Sequence, residues 1–246
     1  MKRFLHTAKH IAAAVLALAV VAVLSVVTIY SVKGYKMYSD ASAQLPLAAR
    51  VDNIRSKEGF TPYDDLPRFY VDAVICVEDK RFEQHFGIDP LAIIRAAYID
   101  ISTHSFAEGG STITQQLAKN LFFDGEKRVE RKFAEIFAAF AIEGEYSKQE
   151  IFELYVNCIC FGSGYYCVGD AARGYFGKEP AELDEYECAM LAGLPNAPSV
   201  YSPDNDIELA QRRTAVVLRH MVACGKLTDA EAKDILAQAG VELQAA

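Results

Sequence analysis

Residues Ile11 to Ile29, IAAAVLALAVVAVLSVVTI, carry no charge. A helix of that length reaches across the hydrocarbon of a bilayer, so whatever follows must fold beside a membrane. A cleaved signal peptide is the rival reading, because Ala41-Ser42-Ala43 resembles an A-x-A site and Lys2, Arg3 and Lys9 make the N-terminus basic. The apolar run exceeds a typical h-region and that site lies well past its end, which favours an uncleaved anchor. Three basic residues precede the span while Lys33 and Lys36 follow it, so the charge rule leans weakly towards a cytoplasmic N-terminus. The expected layout is residues 1–10 in the cytoplasm, 11–30 as the anchor, 31–66 as a linker and 67–240 as one folded domain.

All 33 Asp and Glu lie beyond the span, with all but three of the 25 Lys and Arg. That acidic balance argues against a nucleic-acid partner. The segment Lys119 to Lys132 departs from it, with Lys119, Lys127, Arg128, Arg131 and Lys132 set against Asp124, Glu126 and Glu130. A basic island on an acidic domain suggests an anionic ligand. The six cysteines are too few for a disulfide scaffold and read as small buried fillers. A Cys160 to Cys167 disulfide, or a partial metal site through Cys158-x-Cys160, is the alternative.

Between Tyr30 and Leu66 the chain is mixed and polar, with Pro46, Gly59 and Pro62, and reads as the linker. From Pro67 helical periodicity dominates, and no internal repeat or hairpin interrupts it. Helices are expected from Pro67, from Ser111 as a cap through STITQQLAKNLF, over RVERKFAEIFAAFAIEGEY, and from Ser147 with Glu150 three positions on. CFGSGYYCVGDAARGYFGK should loop before a short helix. LDEYECAMLAGLP should be helical to Pro195 and NAPSVYSP irregular, with two closing helices after them.

Three positions carry chemistry. In the helix from Pro67, Glu78 falls inside the stripe of Val71, Val74, Ile75 and Phe82, where a carboxylate needs a partner or a cleft. With Asp79 and His85 close by to orient it, such a group suits a general base or acid. Thr112, Gln116 and Lys119 share one helical face, at a helix start that favours phosphate. In the next helix Arg131, Lys132 and Glu135 lie opposite Phe133, Ile136, Phe137, Phe140 and Ala141. An Arg131–Glu135 salt bridge, worth only a few tenths of a kcal/mol, is the plain alternative there. The residues alone suggest transfer chemistry on a phosphorylated substrate at a membrane.

Five stretches then resemble, in order, the signature blocks of the peptidoglycan glycosyltransferases, glycosyltransferase family 51. They are EDKRFEQHFGID, GGSTITQQLAKN, RKFAEIFAAFAIE, KQEIFELYVNCICFGSGYYCVGDAARGYFGK and AMLAGLPNAPSVYSP, together covering Glu78 to Pro203. The resemblance implies a mainly α, lysozyme-like domain with a smaller membrane-proximal jaw subdomain behind one transmembrane helix. It also implies polymerisation of lipid II outside the cytoplasmic membrane. Glu78 becomes the general base and Glu135 the second glutamate; Lys119, Arg131 and Lys132 become the pyrophosphate ligands. Asp79, Phe82, His85, Thr112, Gln116 and Asn157 become further substrate-binding positions. No cofactor is required, with Mg²⁺ or Mn²⁺ as an optional stimulant and transpeptidases or other cell-wall synthases as partners.

Two departures qualify this. Cys167 stands where the fourth block usually has glycine, and Cys160 near its usual tyrosine, which puts the local backbone in question. No transpeptidase extension follows the fifth block, so a monofunctional enzyme or a truncated bifunctional one is expected, and the closing helices favour a native stop. A lytic glycan-cleaving enzyme of similar fold and a non-catalytic lipid II-binding scaffold are the competing expectations.

Overall fold

The first helix does not stop where its hydrophobicity stops. In the computed structural model, which describes residues 2–103, 109–123 and 128–241, α1 (Lys2–Gln44) is continuous through the apolar run and past it. It is long and apolar enough to cross a membrane, and none of its most apolar stretch is buried in the protein. This corrects the linker expectation for Tyr30 to Leu66. Residues 30–44 complete α1, and Pro46 caps α2 (Leu47–Arg55). No proline interrupts the chain before position 46, and the polar end of α1 has a neighbour to pack on.

That neighbour is α6 (Val129–Glu145), which turns two apolar faces to two partners. Ala134, Ala138, Ala139 and Ile142 are buried in the core together with Glu135. The aromatic face meets α1 instead: Tyr30 stacks on Phe133 at 6.1 Å and Tyr35 sits edge-on to Phe137 at 5.4 Å. Small residues allow α6 to approach the core closely, so its bulky side chains are left for the outer contact. At the crossing, Gly34 is buried, and a Cβ there would lie 2.9 Å from backbone atoms of Phe133 and Ala134.

The remaining elements build the cleft. α3 (Arg68–Glu78) follows Pro67 and buries Tyr70, Val71, Ala73, Val74 and Cys76. It ends at Glu78, because Asp79 leaves helical geometry at φ −156°, and Phe82 enters the core from the next turn rather than from α3 itself. α4 (Pro90–Thr103) precedes α5 (Ile113–Phe122). The cap of α5 is Thr112, not Ser111: Thr112 Oγ1 accepts from Gln115 N at 3.0 Å, and Gln115 Oε1 accepts from Thr112 N at 3.1 Å. Only Thr112 has a glutamine three residues on, which closes the reciprocal box. The expected Ser147–Glu150 box opens α7 (Lys148–Val156).

α8 (Val168–Phe176) follows the glycine-rich loop, whose Gly162–Tyr165 pair is the one β-bridge among the described residues. Cys167 caps α8 at φ −138°, extended backbone that any residue adopts, so a cysteine in place of glycine adds no strain. All six cysteines are free; Cys76, Cys167 and Cys188 are buried, so the expected Cys160 to Cys167 alternative does not form. α9 (Glu185–Gly193) ends before Pro195. α10 (Pro198–Tyr201) puts a short helix into the stretch expected to be irregular, with Pro198 at its first position. α11 (Ile207–Ala223) and α12 (Asp229–Gln238) close the domain. α3 packs on α9 and α11, and α5 on α6 and α7. The expectation of a mainly α domain behind one apolar helix holds.

The α1–α6 crossing is testable. Gly34→Val should overpack it and destabilise the docked helix by roughly 1–3 kcal/mol. Thermal unfolding in detergent, followed at the Tyr and Phe signals, should fall by several degrees; an unchanged midpoint would show that the contact contributes nothing.

Candidate active site

The carboxylate of Glu78 stands where α3 stops, half-buried on the floor of a cavity of about 310 Å³. The cavity is walled by Ser111 just before α5 and Gln116 and Lys119 on it, by Lys132 and Glu135 of α6, and by Asn196 and Arg213. Gln116 Nε2 donates to Glu78 Oε2 at 2.7 Å, and the fully buried Tyr155 hydroxyl donates to Gln116 Oε1 at 3.3 Å. Burial raises the Glu78 pKa above its ordinary 4.5; the Gln116 hydrogen bond and the Arg213 charge pull it down, and Asp79 pushes it up. The group is therefore an ionisable carboxyl with a neutral bonded partner, poised to take a proton.

Glu135 is treated differently. It is buried and bonded to both Arg131 and Lys132, with Lys132 Nζ 2.9 Å from Oε2 and 2.7 Å from Ser111 Oγ. The salt bridge that spacing allowed is present, widened into a three-residue clamp. Lys132 and Glu135 reach the cavity wall, while Arg131 lies behind Glu135 and is not part of the lining. Lys119 is exposed and makes no ion pair among the described residues. Lys127, Asp124 and Glu126 of the basic island lie outside the described residues.

Other expected site residues sit behind the cleft as its framework. Asp79 is buried and accepts from Ile113 N at 3.0 Å and from His85 Nε2 at 2.9 Å. Phe82 is buried beneath Lys148, whose ammonium lies 4.5 Å from its ring. The Thr112 hydroxyl caps α5 and donates to Gly87 O at 2.6 Å. Asn157 is wholly buried, and its side chain brackets the backbone of Thr61 at 2.9 and 2.8 Å. The structure does not bring Asn157 to the cavity.

A second cavity of about 480 Å³ shares Glu78 and Arg213 and extends past Lys80, Asp89, Arg95 and His220. Arg213 is the functional candidate that the sequence reading missed. It had the same signature as Glu78, a charge between the apolar positions Ala210 and Val217 of one helix. Among the described residues no three His, Cys, Asp or Glu side chains are grouped to hold a metal.

A helical cleft that sets a carboxyl bonded to a neutral amide against a cationic wall anchored on a second carboxylate suits group transfer in which the leaving group carries negative charge. The family model described as Transglycosylase matches residues 47–222, and the chain belongs to that family, the peptidoglycan glycosyltransferases. It is 48% identical over 168 residues to a penicillin-binding protein 1A from Vibrio cholerae, covering 68% of this chain and 20% of that protein. A putative transglycosylase from Cupriavidus necator is 39% identical over 191 residues, covering 78% and 82%. The chain thus spans about a fifth of the penicillin-binding protein and most of the second relative. The crystal structure of penicillin-binding protein 1A from Haemophilus influenzae aligns at 31% identity and a TM-score of 0.36, over 55% of this chain and 16% of that one.

The raised pKa of Glu78 has a stability consequence. The folded chain holds that proton more tightly than the unfolded one, so the group is least costly below about pH 4.5 and folding stability falls as pH rises through the raised value. Glu78→Gln removes this loss while keeping an acceptor for Gln116. The variant should be more stable than wild type at pH 7.5 and show no gain at pH 4, as calorimetry at the two pH values would read.

Proposed function

We propose that the protein polymerises lipid II into β-1,4 glycan strands on the outer side of the cytoplasmic membrane. In this reading Glu78 Oε takes the proton from the 4-hydroxyl of the acceptor's N-acetylglucosamine. The freed oxygen attacks the anomeric carbon of the growing chain's terminal N-acetylmuramic acid from the face opposite the leaving group. The C–O bond to polyprenyl pyrophosphate breaks, its electrons leave with the pyrophosphate, and the configuration inverts.

The observation that carries this reading is the division of labour in one cavity. A carboxyl with only a neutral bonded donor stands on its floor, and Lys119 and Lys132 stand on its wall. Cationic donors bond more strongly to phosphoryl oxygens as negative charge collects on them, so they favour departure over the bound ground state. Glu135 and Ser111 hold Lys132 at the cavity wall, and Arg131 backs Glu135 from behind it. Tyr155 and Gln116 fix the carboxylate of Glu78 so that little reorganisation is needed when the proton arrives.

A resident divalent cation does not fit the described residues, since Glu135 is saturated by cations and no ligand cluster surrounds Glu78. The single apolar helix suits a single-pass anchor, and the membrane-bound donor and growing chain would reach the cleft from the bilayer side. Transpeptidases or other cell-wall synthases that act on the product are the partners that suit this reading.

The test is incubation with lipid II in detergent or vesicles, with moenomycin as the inhibitor control. Wild type should produce long polymer and leave finished sacculi intact; sugar release from sacculi without polymer would identify a lytic enzyme instead. Glu78→Gln should lose about 10²–10⁴ in turnover, the usual weight of a general base. Binding of a pyrophosphate ligand should persist in that variant, as titration calorimetry would show.

A further inference from the structure

Arg213 reaches the cleft by an unusual route. It rises from the middle of α11 and crosses the end of α9, where Nε donates to Gly193 O at 3.2 Å. Its guanidinium carbon lies 5.6 Å from the ring centre of Tyr201 on α10. Gly193 is needed for space rather than for backbone freedom: its φ is −84°, ordinary for any residue. A Cβ there would stand 2.9 Å from Arg213 Cγ and 3.2 Å from Val217 Cγ2. Three elements thus fix the stem of this side chain, and its head lines both cavities that meet at Glu78.

We propose that Arg213 is a positioning residue for Glu78, a cation pinned across α9 that faces the carboxylate over the cleft and keeps it ionised and ready to receive a proton. The inference rests on Glu78 being the base of the transfer reaction. The other charges around Glu78 are placed to do less. Lys132 is bonded to Glu135 and Ser111, Lys119 extends into solvent, and Asp79 is a like charge engaged with His85 and Ile113. Gln116 and Tyr155 are neutral donors, while Lys80, Asp89, Arg95 and His220 line the farther cavity.

Arg213 is not ion-paired to Glu78 at contact distance, so it biases the charge of the carboxylate without occupying the oxygens that must accept the proton. The Arg213 charge lowers the Glu78 pKa against the larger upward effect of burial, in keeping with this geometry. Arginine suits the place because its guanidinium remains protonated even where burial pulls its pKa down.

The test is a carboxyl titration of Glu78 that needs no turnover. The full chain, labelled with ¹³C at the glutamate carboxyl and held in micelles, is titrated by NMR, with Glu78→Gln assigning the resonance. Arg213→Gln should move the Glu78 midpoint up by about one pH unit, a tenfold change in proton affinity. Arg213→Lys should restore most of it, and Gly193→Ala, which displaces the arginine stem, should move it in the same direction by less. The acidic limb of the turnover profile on lipid II should shift with the midpoint. An unmoved midpoint in folded Arg213→Gln overturns the proposal, as does a rise in KM with no shift of the acidic limb. If Arg213→Gln does not fold, the lysine and Gly193→Ala midpoints decide the matter. A midpoint that moves in a wild-type background that makes no polymer would refute the polymerase reading and leave the electrostatic pairing standing.

Discussion

The carboxylate of Asp79 ties together the end of α3, the segment of His85 and the start of α5. It receives the first backbone N–H of α5, it receives His85 Nε2, and it begins the chain's exit from α3 immediately after Glu78. A carboxylate only accepts, so His85 must carry its proton on Nε2 to satisfy the pair. The positive end of α5 favours the negative charge, and the charge in turn fixes where α5 starts. Because Gln116 sits one turn into α5, the distance between the end of α3 and the start of α5 sets the Gln116–Glu78 hydrogen bond. Losing such a buried acceptor would leave an amide unsatisfied, at a cost of about 1–3 kcal/mol, and would also move the group that does the chemistry.

The two cleft carboxylates illustrate how the same functional group is assigned different work by its neighbours. Glu135 is bonded to two cations and serves as their anchor, so its own charge is neutralised locally. Glu78 is bonded to an amide and faces its nearest fixed cation at a distance. The first arrangement suits holding a polyanion's counter-charges in place. The second suits a group whose protonation must change during the reaction.

Much of this was legible before any coordinates. Glu78 stood out as a charge in an apolar stripe, and the same rule applied to Ala210, Arg213 and Val217 finds the arginine that faces it. The capping boxes at Ser147 and Thr112 were both written in the chain, the second displaced by one because Ser111 is also a good cap but lacks a glutamine three residues later. Periodicity could not decide which apolar face of α6 goes inward. That depends on the closer approach that Ala134, Ala138 and Ala139 allow, a property of the neighbours. Nor could composition show that the polar stretch after Ile29 stays helical, because its stabilising partner lies about 100 residues away in the chain. Asn157, Thr112 and His85 sit in motif stretches, yet the first two bond backbone and the third bonds the Asp79 carboxylate, and only packing distinguishes such framework roles from contact with a ligand.

The unbroken passage of α1 from the apolar run into the domain acts as a strut of set length. From Ile29 to Gln44 it advances about 22 Å at the α-helical rise, and over part of that distance it is clasped to α6, whose opposite face carries Glu135. The cleft therefore has a fixed altitude and heading relative to the anchor, like an instrument bolted to a mast. A tilt of the anchor would swing the cleft with it as a body.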